Sequence, residues 1–216
     1  MNKFNNTQEL TNLYIVDYPK LESPFIRKTI SRYVCTPEID ENYKWVFEDN
    51  GVKAVDKLHG SNHCCLFENG ELIAVDNRKT RYLEAPITIK ARNTHLARII
   101  EGINTAIERE WIAKDFTGRL YGELIGPTIN GNLHKVEKHY FVPFDYLEAK
   151  CHWKSWINNK YPKTYEAISE WFKELISLFS QRVLKIETPA EGIIFYHPDG
   201  RKCKLRRNMF DWFKEE

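Results

Sequence analysis

The chain has 216 residues, 42% hydrophobic and 13% aromatic, enough to bury one substantial core and too apolar for a disordered segment. Its 32 Lys and Arg nearly cancel 30 Asp and Glu, so bulk charge does not mark a nucleic-acid protein and any basic surface must be local. Five cysteines without a CxxC pair exclude a secreted disulfide framework, and the polar residues 1–10 lack the apolar core of an export signal, so a cytoplasmic protein is expected.

In chain order, 52–57 is apolar and β-prone, and 64–67 and 72–76 flank Asn69-Gly70, a hairpin signal. The turn Gly60-Ser61-Asn62 is therefore expected between strands. Over 94–110 the residues Leu96, Ile99, Ile100, Ile103 and Ile107 recur at helical spacing. A second stripe runs through Ile168, Trp171, Phe172, Leu175, Ile176 and Phe179. Strands are expected at 119–125, 139–147, 183–187, 192–196 and 202–206, the last two joined by the turn His197-Pro198-Asp199-Gly200. The pattern predicts an α+β fold of mainly antiparallel sheets with flanking helices. No low-complexity linker or repeat divides the chain, and no apolar run nears the roughly 20 residues that cross a bilayer.

Four segments carry candidate chemistry. Lys57 ends an apolar strand and is followed by His59-Gly60-Ser61-Asn62, so its amine sits at a sheet rim where backbone can approach a ligand. A neutral amine so placed is a nucleophile. Glu123 lies inside the apolar strand of Tyr121-Gly122-Glu123-Leu124-Ile125, and Glu191 enters that of Gly192-Ile193-Ile194-Phe195. Lys202 and Lys204 share one face of a strand. Each alone reads more readily as a solvated or edge charge, because buried charges are costly without partners. Together they describe a nucleophilic amine, two carboxylates able to hold ribose or metal, and two cations able to hold phosphate. His63 beside Cys64 and Cys151 beside His152 lack zinc-ligand spacing and read as structural.

In order and spacing these segments resemble motifs I, III, IV and V of the covalent nucleotidyltransferase superfamily, which contains DNA ligases, RNA ligases and capping guanylyltransferases, and among them most resemble RNA ligases of phage and RNA-editing type. The resemblance runs from Lys57 to Lys204 and implies the ligase nucleotidyltransferase (ATP-grasp-like) core. It makes Lys57 the adenylylated nucleophile, Glu123 the ribose ligand, Glu191 the carboxylate near the metal, and Lys202 and Lys204 the phosphate lysines. It further implies nucleotide contacts by His59 and by Arg78, with Arg81 its rival, and adenine stacking by Phe144, with Phe141 its rival. Asn62 matches an asparagine serving the RNA-dependent steps. The pattern usually has Asp where this chain has His59, and imidazole supplies no fixed negative charge.

The resemblance implies an ATP-dependent ligase, with Mg²⁺ or Mn²⁺, joining RNA 5′-phosphate and 3′-hydroxyl ends through lysyl-AMP and adenylylated RNA, in RNA repair. The chain is read as a single adenylyltransferase domain over 1–216 without a C-terminal OB or other appended domain. The alternatives are a capping-type guanylyltransferase, a DNA ligase, or an inactive nucleotide- or RNA-binding module. Residues 19–27 and 201–207 are candidate RNA-contact surfaces.

Overall fold

The computed structural model describes residues 20–28, 34–77, 81–84, 94–157 and 163–214, with backbone alone at 81–84. It divides into two compact units, one described over 59–144 and the other over 20–58 and 145–216. The described part of the first unit thus lies in sequence between the two segments of the second. Every strand pair is antiparallel among the described residues, in the expected α+β mixture.

The inserted unit holds a five-stranded sheet in the order β6-β5-β4-β7-β8: β4 (Ser61–Glu68), β5 (Glu71–Asp76), β6 (Arg81–Glu84), β7 (Gly118–Ile125) and β8 (Tyr140–Pro143). The Asn69-Gly70 turn joins β4 to β5 with both residues at positive φ, as the hairpin signal predicts. A helix over Thr94–Glu108 (here α2) lays Leu96, Ile99, Ile103 and Ala106 against Val75, Leu120, Leu124 and Phe141, which forms the core of this unit.

The second unit holds a hairpin of β1 (Phe25–Arg27) and β2 (Cys35–Ile39), a short helix α1 (Trp45–Glu48), and a three-stranded sheet in the order β10-β9-β3. Its strands are β3 (Lys53–Lys57), β9 (Gly192–Tyr196) and β10 (Lys202–Arg206). Helices α3 (Phe144–Lys150), α4 (Lys154–Ile157) and α5 (Tyr165–Glu174) follow. Trp156, Phe172, Phe195 and Phe210 are fully buried and stack with Trp171 and Trp212 into an aromatic core.

Four expectations fail locally. Residues 183–187 form no strand: Ser180–Leu184 is a π-turn closed by Lys185 at φ 62, and Ile186 N–H bonds back to Ser180 O. The expected strand 139–147 stops at Pro143, and Phe144 opens a helix. The second amphipathic helix ends at Glu174, with Leu175 extended, so Leu175, Ile176 and Phe179 are apolar for another reason. Ser61 and Asn62 belong to β4, which leaves His59-Gly60 as the turn.

Candidate active site

The site residues fall in both units, and each set has its own geometry. In the three-stranded sheet Lys57 is paired with Gly192 and Gly192 with Arg206; Val55, Ile194 and Lys204 form the next row, and Lys53, Tyr196 and Lys202 the third. Cross-strand partners point to the same side. One face therefore carries Lys53, Lys57, Lys202, Lys204 and Arg206. The opposite face carries Ala54, Asp56, Ile193, Phe195, Cys203 and Leu205, all buried. This two-faced sheet is what an apolar core below and an anion above require.

Lys57 Nζ donates to Glu191 Oε2 at 2.5 Å and to Leu58 O at 3.2 Å, with both charged side chains largely buried. The center of the Lys57 row is Gly192, where a Cβ would lie 2.4 Å from Leu205 O. Only glycine lets β10 close on β9 beside the amine. Lys204 is 9% exposed, whereas Lys202 lies over the Tyr196 ring at 4.4 Å and Lys53 pairs with Glu148 at 2.8 Å. Of the face's cations, Lys57, Lys204 and Arg206 are thus the more desolvated ones on the strands flanking β9.

In the inserted unit Asn62 and Glu123 are register partners across β4 and β7. Asn62 Nδ2 donates to Glu123 Oε2 at 3.2 Å, and Asn62 Oδ1 is buried without a hydrogen-bond partner. An acceptor left so costs about 1–3 kcal/mol unless a ligand donor reaches it. The His59-Gly60 turn is clamped: His59 N–H donates to His134 Nε2 at 3.2 Å, and Asn130 Nδ2 donates to Gly60 O at 2.6 Å. A Cβ at Gly60 would meet Leu124 O at 2.3 Å, so this turn lies flat on β7. Phe144 is half-buried at the start of α3, while its rival Phe141 is wholly buried in the core and pressed on Gly122. Arg78 lies outside the described residues, as does the side chain of Arg81.

Two residues of this region escape the sequence reading. Lys53 follows from period 2 back from Lys57. Asp56 carries the signal that singled out Glu123 and Glu191, a carboxylate within an apolar strand, but its neighbor Lys57 draws attention from it. Burial pushes the Asp56 carboxyl up to about 6, against hydrogen bonds from Phe179 and Ser177 that lower it.

The RNA ligase family model matches residues 52–214, well over half of the chain. Solved structures similar to it include Naegleria gruberi RNA ligase mutants, one with AMP and Mn (17% identity, TM-score 0.43, 88% of this chain and 62% of that one) and one with ATP and Mn (20%, 0.43, 88% and 58%). The same ligase with PPi gives 19% identity, TM-score 0.43, and 88% and 62% coverage. The chain thus spans about 60% of the length of these ligases. No curated protein matches it. On the family match over 52–214, the chain belongs to the RNA ligase family.

Proposed function

We propose that the chain is an ATP-dependent RNA ligase that joins 5′-phosphate and 3′-hydroxyl ends, with Lys57 as its covalent nucleophile. The observation that carries this reading is the Lys57–Glu191 pair on a cationic sheet face, in a member of the RNA ligase family. Lys57 Nζ sheds a proton, for which Glu191 Oε2 is the adjacent acceptor, and attacks the α-phosphate of ATP. A phosphorus–nitrogen bond forms, the bond to the β-phosphate oxygen breaks, and pyrophosphate leaves. Lys204 and Lys202 hold the phosphate charge, Glu123 takes the ribose hydroxyls, Phe144 stacks on adenine, and His59 and Arg78 complete the nucleotide contacts. The 5′-phosphate of RNA then displaces Lys57 from AMP, and a 3′-hydroxyl displaces AMP to seal the strand, with Asn62 serving these later steps.

The residues fit both small ligands. A cationic face suits a polyphosphate, and the orphaned Asn62 oxygen beside Glu123 suits a hydroxyl donor. Among the described residues no three His, Cys, Asp or Glu side chains converge on a metal position. Glu191 therefore fits a cation that takes its other ligands from phosphate and water, as Mg²⁺ or Mn²⁺ does. Such a cation, when bound, neutralises phosphate charge. No helix among the described residues is long and apolar enough to cross a membrane. Under this reading both units serve one adenylyltransferase module working in cytoplasmic RNA repair.

The test incubates the protein with Mg²⁺ and α-labelled ATP or GTP and resolves it on a denaturing gel. Label from ATP alone supports the reading. Label from GTP reassigns the chain to capping chemistry, and no label from either removes the covalent mechanism.

A further inference from the structure

We infer that Asp56 is a positioning residue for adenylylation, whose buried carboxylate ties the strand bearing Lys57 to the segment bearing Glu191; this rests on the function proposed above.

Asp56 points away from the cationic face. Its Oδ2 accepts from Ser177 Oγ at 2.7 Å and from Phe179 N–H at 2.8 Å. Ser177 Oγ also accepts from Ser180 N–H at 3.2 Å, and Thr188 Oγ1 donates to Ser180 Oγ at 2.7 Å. Backbone bonds run beside this chain of side chains: Ser177 N–H to Thr188 O at 2.9 Å and Ala190 N–H to Leu175 O at 2.8 Å. Glu191 follows Ala190 directly. A polar path thus leads from Asp56 through Ser177, Ser180 and Thr188 to Glu191, and the Lys57–Glu191 ion pair closes it into a ring. Asp56, Ser177, Ser180 and Thr188 are all nearly inaccessible to water.

The other edge of β3 is held independently. Asp56 N–H donates to Cys151 O at 2.8 Å and Trp153 N–H to Ala54 O at 2.9 Å. The strand is therefore fixed without the carboxylate, and what the carboxylate adds is its tie to 175–191. For stability alone an acid here is a costly choice, because burial penalises its charge and its hydrogen bonds only partly offset that penalty. The nearby groups that sense its charge are the Cys151 thiol, itself raised to about 12 by burial and then by Asp56, and Glu191.

The test compares wild type, Asp56→Ala and Asp56→Asn by amide hydrogen exchange and by single-turnover labelling with α-labelled ATP. Asp56→Ala is expected to speed exchange in both 53–57 and 188–192 by about tenfold or more, beyond the change in the rest of the unit. It should lower the maximal labelling rate by about tenfold or more, leaving the ATP concentration at half-rate nearly unchanged. Asp56→Asn keeps an acceptor for Ser177 and Phe179 and should restore both readouts most of the way. Should Asp56→Ala not fold, Ser177→Ala cuts the same path at its next link and is read identically. Unchanged exchange at 188–192 in a folded variant overturns the inference, as does equal impairment by Ala and Asn. An unlabelled wild type would instead sink the ligase reading and leave the exchange result to decide this one.

Discussion

Lys57 Nζ is held between two acceptors, the Glu191 carboxylate and the Leu58 carbonyl, which fixes its direction before any nucleotide arrives. Lys57→Ala should therefore abolish the labelled adduct. Lys57→Arg should abolish it equally, since a guanidinium stays protonated and is no nucleophile; a labelled Arg variant on the gel would contradict Lys57 as the attacking group. Asn62 is different, because its amide leans on Glu123 and leaves one oxygen open. Asn62→Ala should keep most of the ATP label yet lose sealing of a nicked RNA duplex, and a proportionate loss of both would remove the separate role. Lys57, Glu191 and Lys204 were singled out in the sequence as charges at or within apolar strands, and the fold sets Lys57 beside Glu191 and on the same sheet face as Lys204. The Asp56 network was not, since Ser177, Ser180 and Thr188 are ordinary polar residues until the fold brings them together.

The ordered rows Lys57–Gly192–Arg206 and Val55–Ile194–Lys204 exist only while β9 keeps its register between β3 and β10. A one-residue slip would turn the cations into the core. Gly192→Ala places a methyl against Leu205 O and should cost about 1–3 kcal/mol in urea unfolding, with the labelling rate falling as well. An Ala variant as stable and active as wild type would show that the sheet yields there. Strands with turn signals at both ends, β4, β5, β9 and β10, were readable by period and punctuation. The segment 183–187 was misread because Val183 and Ile186 are β-prone, while the backbone satisfies itself locally through a π-turn and a left-handed Lys185. The strand at 139–147 was overextended because the apolar run through Phe144, Tyr146 and Leu147 masks the helix-start signals of Pro143 and Asp145.

Across the whole molecule two buried titrating groups push stability in opposite directions. Asp56, raised to about 6, favors its protonated form when folded, so its contribution falls as pH rises from about 4 through 6, by on the order of 3 kcal/mol. His63, lowered to about 4 by burial and then by His95, favors its neutral form when folded, so its contribution is lost as pH falls from 6.5 through about 4, by a similar amount. Asp56 belongs to the unit of β3 and His63 to that of β4. Relative to wild type, Asp56→Asn should gain stability from pH 4 to 7, and His63→Gln should gain it from pH 7 to 4. Parallel melting curves for wild type and either variant across that range would refute the assignment. The arrangement of the chain adds a consequence for its making. The sheet and helix of 59–144 are complete once that stretch is made, whereas β3 must wait for β9 and β10, more than 130 positions downstream of Lys57. On the ribosome the inserted unit can fold first, while the lysine's own sheet is assembled only once most of the chain has emerged. A nascent chain halted before β9 would carry Lys57 without the Glu191 carboxylate beside it.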